Sequence, residues 1–196
     1  MNRRDAIKTS ALFLGYAVSS ASLSSLFIRC QAEVKLDWKP VFLTPVQAQS
    51  VAEIAETILP ETATPGAKGI GVPQFIDLML HESLAPEEQQ DFLAGLKKLE
   101  DDCQSAFGKP FVGCSAEQRE ALLLQLDREA AKLPPSVWGI TLAPPSPVAF
   151  FRRLKSLTML GYFTSKKVGS EILSYEPNPM GFQACIPLNG MNAWNE

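Results

Sequence analysis

The chain has 196 residues, 46% of them hydrophobic and 20% charged, with a formal net charge of -3. That composition fits one globular domain with a real core, and its charge gives little basis for nucleic-acid binding, which needs clustered Lys and Arg. One histidine, His81, excludes multi-His zinc sites, and the four cysteines (30, 103, 114 and 185) form no CxxC pair.

The first segment reads as a targeting leader. Met1-Asn2-Arg3-Arg4-Asp5-Ala6-Ile7-Lys8 is a basic head, and no charged residue follows from Ala11 to Ile28. Adjacent Arg3 and Arg4, then Asp5, Ile7 and Lys8, have the form of a twin-arginine export signal. A second reading is a membrane anchor, since eighteen uncharged residues reach the lower limit for a span. Ala17, Ser19 and Ala21 offer a cleavage site, and Cys30 stands where a lipoprotein cysteine would stand, although Arg29 precedes it. Removing residues 1–29 lowers Lys+Arg from 18 to 14 and Asp+Glu from 21 to 20, for a mature charge of -6.

Residues 30–43 read as a linker, and 44–196 as the folded domain. Thr44, Pro45 and Gln47 start a helix by capping box and first-turn proline, with Val51, Ile54, Ala55 and Ile58 at helical spacing before Pro60. Gly66, Gly69 and Gly71 follow in a loop whose order is not a dinucleotide fingerprint. A short helix is expected over 73–81. His81-Glu82 is half of HExxH, but Ala85 breaks that motif, so His81 reads as a helix-end residue.

Ala85-Pro86-Glu87-Glu88 opens the next helix, with Phe92, Leu93, Leu96 and Leu99 as its buried stripe. Ser115 and Gln118 form a second capping box ahead of Leu122, Leu123, Leu126 and Ala130. Residues 134–147 hold five prolines and read as an extended connector. A helix over 147–164 is expected to turn Phe150, Phe151, Leu154, Leu157 and Leu160 inward and Arg152, Arg153 and Lys155 outward as a basic patch. Residues 165–173 read as a turn or short helix, and 175–196 as an irregular tail. The expected architecture is an all-α domain of five to six helices with a proline-rich connector and an irregular C-terminal tail.

In an oxidising compartment the cysteines take on meaning. Cys103 near one helix end and Cys114 before the next would meet across a helical hairpin turned by Phe107-Gly108-Lys109-Pro110. A disulfide between them is one reading, and two buried free thiols the other. Cys185 pairs with Cys30 or stands alone.

Three stretches together carry a family resemblance. They are Ile58-Leu59-Pro60-Glu61-Thr62-Ala63-Thr64-Pro65-Gly66-Ala67, Gly71-Val72-Pro73-Gln74-Phe75-Ile76-Asp77, and Leu160-Gly161-Tyr162-Phe163-Thr164-Ser165 followed by the tail. With the leader and Leu43-Thr44-Pro45, the chain resembles the gluconate 2-dehydrogenase subunit 3 family. The resemblance implies a non-catalytic small subunit with no cofactor of its own. Its implied partner is a large FAD-dependent dehydrogenase of the glucose-methanol-choline type that oxidises sugars, sugar acids or polyols. A c-type cytochrome subunit can join such complexes. The resemblance also implies passage through the twin-arginine translocase to the periplasm, with the small subunit escorting the large one. Membrane association would come through the complex, an uncleaved signal or a lipid anchor.

The connector and tail lack a core of their own, so Tyr162, Phe163, Tyr175, Phe182 and Trp194 are expected at a partner interface, where aromatic residues concentrate. The competing reading has the tail wrapping its own domain. An alternative for the whole chain is a stand-alone exported binding protein or lipoprotein.

Overall fold

A computed structural model describes residues 36–130, 136–137, 140–141, 148–174, 185, 187, 190 and 192–193. The leader with Arg3, Arg4 and Cys30, most of the connector, and Tyr175, Phe182 and Trp194 lie outside the described residues. Among the described residues there are five α-helices: α1 Pro45–Ile58, α2 Val72–Glu82, α3 Pro86–Phe107, α4 Ala116–Glu129 and α5 Phe150–Phe163. The all-α reading holds. One two-residue antiparallel ladder, Ser136–Val137 against Ile140–Thr141, was not anticipated in the connector.

Local chemistry sets the helix ends. Thr44 accepts from the Gln47 N–H while the Gln47 side chain accepts from the Thr44 N–H, so two backbone donors without helical partners are satisfied at once. Ser115 and Gln118 repeat the arrangement at α4. At α3 the cap is an alanine, and Glu88 alone reaches back, accepting from the Ala85 N–H at 3.2 Å. Gly108 ends α3 at φ 67°, a left-handed conformation that costs glycine little.

The core is one contiguous cluster. Val51, Ile54 and Ala55 of α1 meet Ile76 and Leu80 of α2, Phe92, Leu96 and Leu99 of α3, Leu122 and Leu123 of α4, and Phe151 and Leu154 of α5. The most extensive helix–helix contact joins α2 and α5. It is close because residue 161 is glycine: a Cβ there would lie 2.6 Å from the Phe75 ring.

Two expectations about α5 need correction. Leu160 is 47% exposed and does not face the core. The buried face instead runs through Phe151, Leu154, Thr158, Gly161 and Tyr162, a spacing of three and four that leaves residue 160 outside. The basic residues are not a free solvated face either. Arg153 binds Glu88 at 2.7 Å, Lys155 binds Asp127 at 2.9 Å, and Arg152 donates to the Ala130 carbonyl, so they tie α5 to α3 and to α4.

The compact unit that holds these helices begins at Leu36. Leu36, Trp38, Phe42 and Leu43 pack on the core, so the end of the expected linker belongs to the domain.

Candidate partner-docking site

The family-like segments converge at one corner of the fold. The loop between α1 and α2 wraps around the Glu56 carboxylate, which accepts from the Glu61 N–H at 3.0 Å and the Lys68 N–H at 2.8 Å. A Cβ on Gly66 would fall 2.3 Å from that carboxylate, which explains the glycine. These amides serve an internal anion, in keeping with a packing loop rather than a phosphate cradle. Glu61 stands there as a backbone donor, and His81 at the end of α2 pairs with the adjacent Glu82 at 2.9 Å.

From the other side, the Tyr162 hydroxyl donates to the Pro65 carbonyl at 2.9 Å. Tyr162 is only 6% exposed, so the tyrosine expected at a partner interface is a buried strut between α5 and this loop. A phenol packed by its ring still needs a partner for its O–H, and Pro65 supplies it. The next residue behaves differently. Phe163 is 41% exposed and sets its ring edge-on to Tyr162, centroids 5.4 Å apart.

Met159, Leu160 and Phe163 follow helical spacing and share the outer face of α5. On neighbouring α2, Leu78 is 49% exposed, one turn beyond the Phe75 that meets Gly161. Four large apolar side chains therefore stand in water on the two helices that pack most tightly. Exposed apolar residues that share one helix face, as Met159, Leu160 and Phe163 do, are candidates for an interaction surface. Leu78 and Met159 were not singled out from sequence. The signal was present, because the buried set on each helix already fills one face and leaves these residues as the apolar remainder.

The hydroxyl groups after Phe163 close the helix. Thr164 Oγ1 donates to Leu160 O at 2.7 Å, and Ser165 Oγ donates to Tyr162 O while accepting from the Val168 N–H. A π-type turn, Val168–Ile172, follows with Val168 buried. Here the tail returns: Ser174 N–H donates to Ala193 O at 2.8 Å, and Ser174 Oγ donates to Asn192 O at 3.0 Å. The described end of the tail is thus held by its own domain.

Two further anionic groups hold the frame. Glu53 binds Lys68 and Arg119, each at 2.6 Å. Burial raises its pKa, but Lys68 and Arg119 together outweigh that and hold the carboxyl below its ordinary value. Arg119 also donates to the carbonyls of Phe111 and Val112, locking α4 to the turn before it. Glu100 accepts from Ser50 Oγ at 2.5 Å and from the Phe111 N–H at 2.9 Å. Cys103 and Cys114, expected to meet, are both buried in the core cluster, and both are thiols here. Cys185 is exposed.

Among the described residues no group of three or more His, Cys, Asp or Glu is placed to hold a metal, and no helix is long and apolar enough to cross a membrane. A family model for gluconate 2-dehydrogenase subunit 3 matches residues 45–181. No curated protein and no solved structure matches the chain. Because the match takes in all five helices and the α2–α5 corner, the chain belongs to the gluconate 2-dehydrogenase subunit 3 family, a family of small subunits of dehydrogenase complexes.

Proposed function

We propose that this chain is the accessory subunit of a periplasmic FAD-dependent dehydrogenase of the glucose-methanol-choline type, acting on a sugar, sugar acid or polyol. The flavin and the substrate belong to the large partner, which performs the oxidation. This chain contributes an export signal at Arg3-Arg4 and a docking face that holds the partner through translocation. Electrons leave the complex through an acceptor such as a c-type cytochrome subunit.

The observation that carries the reading is the exposed apolar face of α5, Met159, Leu160 and Phe163, with Leu78 exposed on the neighbouring α2, in a chain that the family model matches. In a lone soluble chain such a group is a liability, and a covering partner removes it from water. The buried strut Tyr162–Pro65 and the Glu56-centred loop give that face a rigid base, which lowers the ordering cost of association.

The export role is tested by replacing Arg3 and Arg4 with lysine in cells expressing both subunits. The expected result is that the chain and the flavin subunit are both retained in the cytoplasm. Normal export of the flavin subunit would overturn the escort role.

A further inference from the structure

Cys103 lies fully buried toward the C-terminal end of α3, in the same core cluster as Cys114. Cys114 follows the Phe111–Gly113 turn, is 6% exposed, and directs its S–H at the Pro110 carbonyl at 3.5 Å. Groups other than the cysteines build this corner. Gly108 reverses the chain, Phe111 is buried with the Arg119 guanidinium 5.6 Å from its ring centre, and Glu100 holds the Phe111 N–H. The two sulfurs are therefore placed together by the fold before any bond joins them.

We propose that Cys103 and Cys114 are an oxidation site that closes to an intrachain disulfide after folding, when the chain meets a disulfide oxidant. In the first step the Cys114 thiolate attacks one sulfur of the oxidant, forming a mixed disulfide and releasing one thiol. The Cys103 thiolate then attacks the Cys114 sulfur and expels the second thiol. One S–S bond forms in the chain and one breaks in the oxidant. Two electrons pass to the oxidant, and the two cysteine protons end on its two thiols.

The surroundings set the timing. Burial, with the neighbouring Cys114 and Glu100, pushes the Cys103 thiol up to about 12. Thiolate is scarce there, so ring closure in the folded chain is slow. The bond would fasten the end of α3 to the cap of α4, since Ser115 is the next residue. The site is a latch set once, not a fast sensor.

The test uses the purified, reduced full chain incubated with oxidised glutathione, in water and again in urea below the unfolding midpoint. Samples are then unfolded, alkylated without reductant and mapped by mass spectrometry. The expected product is a Cys103–Cys114 linked peptide, with a melting temperature roughly 5 °C above that of the reduced chain. Linkage in urea alone would overturn closure after folding, because the bond would then need the chain to open first. Recovery of both cysteines alkylated in both conditions, or a lasting glutathione adduct on Cys114 beside a free Cys103, overturns it. The oxidant is supplied in the assay, so the outcome is independent of the dehydrogenase reading.

Discussion

The buried carboxylate of Asp77 accepts the backbone N–H of Leu43 at 2.8 Å, joining the middle of α2 to the segment that leads into α1. The same carboxylate accepts from the N–H groups of Val41, at 2.6 Å, and Phe42, at 3.2 Å. Three consecutive amides with no helix or strand to pair with are thus satisfied by one side chain. A buried acidic side chain is tolerated because three backbone N–H groups donate to it.

Removing that acceptor strands the amides of 41–43. Asp77→Ala is expected to destabilise the domain by about 3 kcal/mol. Asp77→Asn keeps one oxygen acceptor and should cost roughly half as much. Urea titration of both variants checks the order, and an Ala variant as stable as the parent would remove Asp77 from this role.

Gly161 should resist any side chain. A Cβ 2.6 Å from the Phe75 ring forces α2 and α5 apart or the ring out of place. Gly161→Ala is expected to cost about 1–3 kcal/mol, and pairing it with Phe75→Leu should recover part of the loss. A double-mutant cycle with no coupling would contradict the contact.

Acid should loosen the α1–α4 junction. The folded pKa of Glu53 lies below its unfolded value, so its contribution is present above the ordinary value of 4.5 and is lost as pH falls through the folded pKa. Glu53→Gln is expected to cost about 1–2 kcal/mol at neutral pH and progressively less in acid, because the parent loses the same interaction there. Thermal melts of both chains from neutral to acid pH measure this, and a gap that stays constant would rule out Glu53 as its source.

Tyr162 and Phe163 should separate folding from assembly. Tyr162→Phe removes the bond to Pro65 and should cost about 1 kcal/mol of stability while weakening partner binding far less than a change at Phe163 does. Phe163→Asp should leave stability within about 0.5 kcal/mol and sharply reduce recovery of the partner. Equal recovery of partner with Phe163→Asp would move the docking face elsewhere.

The local rules were legible where they act within a few residues. The Thr44 and Ser115 capping boxes fixed two helix starts to the residue, because cap chemistry involves residues three apart. Side-chain roles that depend on distant partners were harder to read. Leu160 looks like a core residue by spacing alone, yet Thr158, Gly161 and Tyr162 take the buried face, with Gly161 against Phe75 of α2, and nothing in the α5 sequence says that a glycine would mark the contact. Arg152 and Arg153 look solvated until Glu88 and Ala130 arrive from other helices. Asp77 carried a usable signal: it sits with Pro73 and Leu80 on an apolar helix face, where an acid must find donors. Which donors it finds depends on a segment 34–36 residues away.

The central claim is that this chain is one part of a flavin dehydrogenase. The direct measurement is co-expression with a large flavin subunit of the glucose-methanol-choline type, purification through a tag on this chain, and the absorbance spectrum of the eluate. The account predicts flavin absorbance in fixed ratio to the chain, together with a second, larger polypeptide and dehydrogenase activity. A folded, helical and colourless chain that elutes alone would contradict it.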